Sequence, residues 1–117
     1  MKNVKFYKTD QGKCPVEEFL DSLIPKHARK VAWVLELFEK LDHIPAEYFK
    51  KLKNSDEIWE VRAKMGSDSF RLLGFNDDGE FIVLTNGFAK KSQKTPKQEI
   101  ELAERRKTNY LARKSQK

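Results

Sequence analysis

The segment from residue 58 to residue 88, IWEVRAKMGSDSFRLLGFNDDGEFIVLTNGF, decides the fold. It reads as three strands joined by two turns. In IWEVRAK, residues 58–64, Glu60, Arg62 and Lys64 share one face while Trp59, Val61 and Ala63 share the other, the period of two expected of a half-buried strand. Met65-Gly66-Ser67-Asp68 is a turn. The second strand, Ser69 to Phe75, sets Arg71 with Leu73 and Phe75 opposite Phe70 and Leu72. Asn76-Asp77-Asp78-Gly79 is a strong turn, because Asp-Gly accepts the left-handed geometries that tight hairpins need. The third strand, Glu80 to Phe88, contains FIVLT, a β-branched and aromatic run that argues against a helix and for the central strand of the sheet.

Toward the N-terminus, NVKFYK (residues 3–8) reads as a short opening strand. Pro15 suits the first turn of a helix, where a missing N–H costs nothing, and Val16, Phe19, Leu20 and Leu23 follow at helical spacing. Pro25 stops that helix. A second helix is expected from about Lys26 to Leu41, with Ala28, Val31, Val34, Leu35, Phe38 and Leu41 as its apolar stripe and Trp33 and Leu37 broadening it. Residues 46–57 read as a connector that docks Phe49 and Leu52 on the core. Toward the C-terminus, Thr95 at N-cap, Pro96 at N1 and Gln98 at N3 form a capping-box pattern for a last helix from Pro96 to about Leu111. The expected fold is α+β, in the order β-α-α-β-β-β-α. A mainly antiparallel sheet is covered by a helical hairpin and a C-terminal helix. Residues 1–111 form one domain, and residues 112–117 a frayed basic tail.

The 117 residues fit a single core, and no apolar stretch approaches the roughly 18 residues of a membrane span. The N-terminus lacks a signal-peptide apolar region, and the single Cys14 excludes an intramolecular disulfide, so a cytoplasmic setting with no membrane is expected. The formal charge of +6 is uneven. Residues 1–47 carry eight basic and eight acidic side chains, residues 48–98 ten and seven, and residues 99–117 six and three. A polyanion partner is compatible with that distribution, as is a solubilising surface.

Zinc-ligand clusters, phosphate-binding glycine loops and nucleophile elbows are absent from the sequence. His27 and His43 near the ends of the second helix read as surface or capping residues, Cys14 as incidental, and Tyr48 and Tyr110 as packing residues with some capacity for proton transfer. The two helices read as scaffold. The conspicuous cations are Arg62 and Arg71, on adjacent hairpin strands, where they would repel unless an acid or a bound anion separates them. Glu60 is a candidate for that acid; a phosphate between two guanidiniums is the alternative. The segment GFAKKSQKTPK, residues 87–97, brings Lys90, Lys91, Lys94 and Lys97 to a helix N-terminus with no acid among them, an arrangement that favours an anion.

The stretch FKKLKNSDEIWEVRAK through FRLLGF and FIVLTNGFAKKSQKTPKQEIELAERR resembles the phage Gp49-like branch of the RelE/HigB-type toxins, from about Phe49 to Tyr110. The resemblance implies a RelE-like fold and the toxin of a type II toxin–antitoxin pair, an endoribonuclease that cuts mRNA on the ribosome without cofactor or metal. It implies a cognate antitoxin of helix-turn-helix type, with DNA contacted only through that complex. Carried onto this chain, Arg62, Arg71, Lys53 and Lys91 are the candidate catalytic residues. Lys50, Lys51, Lys64, Phe88, Lys90 and Lys94 are the candidate RNA-binding residues, Phe88 by stacking a base. The C-terminal catalytic tyrosine or histidine of such toxins has no counterpart in FAKKSQK. A non-catalytic RNA- or ribosome-binding relative, or a structural partner of an antitoxin, are the competing readings.

Overall fold

In a computed structural model, which describes residues 2–91 and 94–116, the elements run β1 (Asn3–Phe6), α1 (Pro15–Asp21), α2 (Pro25–Lys40), β2 (Phe49–Lys51), β3 (Trp59–Met65), β4 (Asp68–Asp77), β5 (Phe81–Ala89) and α3 (Lys97–Ser115). The sheet order is β1-β5-β4-β3-β2, antiparallel throughout except for the parallel pair β1–β5. This is the α+β architecture expected, with one strand added. Phe49–Lys51 pairs with β3 inside what reads as a connector, and three residues are too few to display a period of two. The addition makes β4 the middle strand of five, and the FIVLT strand β5 its neighbour.

The β4–β5 turn has Asp78 at φ +54° and Gly79 at φ +75°, left-handed at both central positions as a type I′ turn requires. Alternation along the strands then sorts the side chains. Val61, Ala63, Phe70, Leu72, Ile82 and Leu84 face α1 and α2, and pack on Val16, Val31, Val34, Leu35 and Phe38. Leu73, Phe75 and Val83, with Ile58, face α3 around Ala103. Helix α1 lies close enough to β5 that a Cβ on Gly87 would meet the Phe19 ring at 2.5 Å. Pro25 does more than stop α1: it occupies the first turn of α2. Trp33 and Leu41 stay 44% and 39% exposed, outside the buried stripe of α2.

The start and end of α3 differ from expectation. Among the described residues its N-terminus has no side-chain cap: the helix begins at Lys97 with Pro96 at the N-cap position, and the Thr95 hydroxyl donates to Glu60 Oε2. The helix runs past Leu111 to Ser115, so residues 112–115 are helical where fraying is expected. Lys114 Nζ reaches Asp77 Oδ1 at 2.8 Å and Asp78 Oδ2 at 2.7 Å, and Arg113 Nη2 donates to the Lys8 carbonyl at 2.6 Å. Asp77 is 5% exposed and also accepts from Tyr110 Oη at 2.9 Å. Burial works to raise the Asp77 pKa, but the hydrogen bonds from Lys114 and Tyr110 outweigh it and hold the carboxyl below its ordinary value of 3.8.

A group whose pKa is depressed by folding stabilises the fold above its unfolded value and loses that contribution as pH falls through the folded one. Asp77→Asn is therefore expected to cost about 1–3 kcal/mol at neutral pH. The gap to the wild type should close as both are acidified below the ordinary carboxylate range. Urea denaturation across that range measures it; a gap independent of pH would remove Asp77 from the docking of α3.

Candidate functional site

The β3–β4 register puts Arg62 directly opposite Arg71, and Glu60 opposite Leu73, all on the α3 side of the sheet. Facing guanidiniums repel. The separator is Glu60, whose side chain has no solvent exposure. Its Oε1 accepts from Arg62 Nε at 2.9 Å and lies 3.4 Å from Arg71 Nε, while Oε2 accepts from Thr95. The Arg71 contact is an ion pair without hydrogen-bond alignment, so Arg71 Nε is buried with no hydrogen-bond partner among the described residues. Arg71 Nη1 donates to Ser69 Oγ at 3.1 Å and to the Phe70 carbonyl at 3.2 Å. Burial lowers the Arg71 pKa, Glu60 opposes that, and Arg62 adds to it.

Two lysines stand close to this group, so that four cations surround one buried carboxylate; of these four, the two arginines pair with it. Lys50 on β2 pairs in register with Glu60 and so shares its face. Lys90, just past β5, is half-buried and tied to β4 through its N–H to the Ser69 carbonyl at 2.8 Å. Burial is the largest influence lowering the Lys90 pKa; the charges of Arg71, Arg62 and Lys50 depress it further, against Glu60. Around the uncovered end of β3 opens a groove of about 300 Å³, lined by Lys30, Tyr48, Arg62, Lys64, Ser69 and Arg71 with Glu47. Arg62 N–H donates to the Tyr48 carbonyl at 2.8 Å, which fixes Tyr48 beside the arginine pair. Four cations against one acid make the groove receptive to phosphate.

The structure thus brings together Arg62, Arg71, Lys50, Lys64 and Lys90. Phe88 sits opposite Arg71 in the β4–β5 register, on the same face, and packs against the second core cluster. Lys51 is on the opposite face, paired with Glu57 at 2.7 Å. Lys53 is exposed in the turn after β2. Lys91 and Lys94 are exposed in the loop from β5 to α3, on either side of Ser92 and Gln93, which lie outside the described residues.

Sequence reading missed Lys30 on a helix taken as scaffold, the groove position of Tyr48, and the use of Thr95 on Glu60. The available signal was weak: Lys30 and Trp33 stand three apart on α2, one turn from each other, outside its buried stripe.

Tyr110 is removed from this site. It bonds Asp77, six residues along β4 from Arg71, about 20 Å at the usual strand rise. His27 pairs with Asp68 at 3.3 Å and lies against the Phe70 ring at 4.8 Å, and His43 is exposed after α2. A cavity of about 760 Å³ at the β1–α3 end is also basic. Its Lys114 and Arg113, however, already face Asp77, Asp78 and Asp10, so the charge of those two residues is spent internally.

Glu60→Gln keeps the shape but leaves two guanidiniums facing each other. It is expected to cost about 3 kcal/mol of stability, and a second change, Arg71→Met, should recover part of that loss. A double-mutant cycle by urea denaturation tests it; additive effects would mean that Glu60 does not balance Arg71.

Residues 18–108 match the family model described as phage derived protein Gp49-like. No curated protein matches the chain. Among the described residues no helix is long and apolar enough to cross a membrane.

Proposed function

We propose, from the premise that the chain belongs to the Gp49-like family of RelE/HigB-like toxins, that it is an endoribonuclease cleaving mRNA on the ribosome. Membership also implies an antitoxin partner; a helix-turn-helix antitoxin, which would carry any DNA contact, belongs to the same proposal. The observation that carries the reading is the convergence of Arg62, Arg71, Lys50 and Lys90 around the single buried Glu60, beside an open groove.

RNA supplies its own nucleophile. The 2′-hydroxyl attacks the adjacent phosphorus, the bond to the 5′-oxygen breaks, and the products are a cyclic phosphate and a free 5′-OH. The 2′-hydroxyl proton must leave and the departing oxygen must gain one. Arg62 and Arg71 are proposed to clamp the non-bridging oxygens and to stabilise the extra negative charge of the transition state. They need little reorganisation, since Glu60, Ser69 and the Phe70 carbonyl already hold them. Lys90 supports the proton-donor role better than Lys51, Lys53 or Lys91. It is half-buried among the site cations with its pKa lowered, toward the range in which a general acid is effective. Lys50, Lys64, Lys91 and Lys94 are proposed to hold neighbouring phosphates, a contribution that weakens with salt. Phe88 is proposed to stack a base beside the scissile bond.

Among the described residues no histidine lines the groove, which keeps a non-catalytic RNA- or ribosome-binding protein as the second reading. Saturable ribosome binding without new 5′ ends would favour it.

Cleavage assayed with purified ribosomes, with mapping of 5′-OH ends, tests the proposal. The wild type is expected to cut, and Arg71→Ala to cut at least about tenfold more slowly with an unchanged circular dichroism spectrum; near-wild-type rates would remove Arg71 from the site. A protonated Lys90 acting as acid requires activity to fall as pH rises through its pKa, below the ordinary 10.5. Lys90→Arg should move that basic limb to higher pH. A limb unmoved in Lys90→Arg would assign the proton to another group.

A further inference from the structure

Trp33 is 44% exposed on α2, yet its ring is held in place on two sides. Lys30 Nζ lies 4.3 Å from the ring centroid, and Tyr48 meets the indole edge-on at 5.7 Å and 78°. Both neighbours also line the groove that ends on Arg62, Lys64 and Arg71. An apolar ring of this size left in water is not explained by the core, whose α2 stripe is filled by Val31, Val34, Leu35 and Phe38. What is present is a rigid aromatic step beside a cationic channel. Its volume is at the lower end of the about 300–1,000 Å³ typical of small-ligand clefts.

We infer that Trp33, braced at its edge by Tyr48, forms a stacking subsite for one unpaired nucleobase of single-stranded RNA, with Lys30 on its phosphate. The inference rests on the RNA reading above and extends it from the arginine pair to the opposite side of the β3 edge. The chemistry favours RNA over an acidic peptide because flat apolar rings joined by phosphates match alternating aromatic and cationic groups, and every base offers a π-face. Duplex nucleic acid does not fit, since its bases are already stacked. The cation–π contact pre-orients both Lys30 and the indole, so little side-chain freedom remains to be lost on binding. The Tyr48 backbone carbonyl accepts from the Arg62 backbone N–H, which sets the two residues side by side at the β3 edge.

Tryptophan fluorescence reads this directly. In a Trp59→Phe background Trp33 is the sole tryptophan. Oligoadenylate of ribose sugar is expected to quench it saturably, whereas inorganic polyphosphate binds without quenching. Trp33→Ala should weaken oligoadenylate binding about tenfold, Trp33→Phe should restore most of it, and on ribosomes Trp33→Ala should raise KM with kcat nearly unchanged. The inference is overturned by unquenched fluorescence at saturating RNA, by equal quenching with polyphosphate, or by unchanged affinity in Trp33→Ala. It is equally overturned if that variant loses antitoxin binding while RNA binding stays intact, which would assign the ring to a protein partner. Quenching by RNA in a protein that cuts no transcript would remove the nuclease reading alone; cutting without quenching would remove the stacking subsite alone.

Discussion

Glu60 is the constraint on which the cationic end of the molecule depends. Burying a carboxylate costs several kcal/mol unless cations and hydrogen bonds compensate for lost water. Here both arginines and a threonine hydroxyl do so. The dependence is mutual, since Arg62 and Arg71 occupy facing register positions that would be repulsive without a negative charge between them. Thr95 ties the entry of α3 to the same carboxylate, so a helix without a side-chain cap is anchored by the site it adjoins. One negative charge among four cations leaves a local positive excess, which is what an incoming phosphate would meet.

The sheet has a second charged focus, of opposite sign, at the far end of β4. Asp77 is buried there and Asp78 lies beside it, and the last turns of α3 supply the neutralising charge through Lys114 and a Tyr110 hydrogen bond. Further along the helix, Arg106 donates to the Thr85 carbonyl and Lys107 reaches the Asp56 carbonyl, both inward contacts. The basic excess of residues 99–117 is thus used largely in docking a helix of weak amphipathicity, whose apolar stripe is narrow. The excess of residues 48–98 gathers instead around the groove. Two equal surpluses in the sequence have different physical uses.

The three-strand core was legible because each strand is long enough to show alternation and each turn carries its own chemistry; Asp78-Gly79 adopts the left-handed pair that its sequence requires. The faces of Arg62 and Arg71 followed from the same alternation. Three features were not legible. The strand Phe49–Lys51 is too short to declare itself and forms by pairing with β3. Thr95 has the pattern of a cap, but the helix begins two residues later, at Lys97, and the Thr95 hydroxyl proton goes to a buried carboxylate on a strand thirty-five residues away. The residues beyond Leu111 look like a solvated tail until Asp77, thirty-seven residues away from Lys114, is brought beneath them.

What the sequence determined by itself is of short range: the periods of the longer strands and of the helices, most turns, the family, and the fact that Arg62 and Arg71 share a face. Tertiary structure alone decided which cations lie together. It selected Lys50 and Lys90 from the two lysine clusters, turned Lys51 to the other face with Glu57, and added Lys30, Tyr48 and Trp33 from a helix and a connector that reveal no chemistry locally. The reason is that charge interactions depend on separation and burial in space, and these are set by strand register and helix docking between segments far apart in the chain.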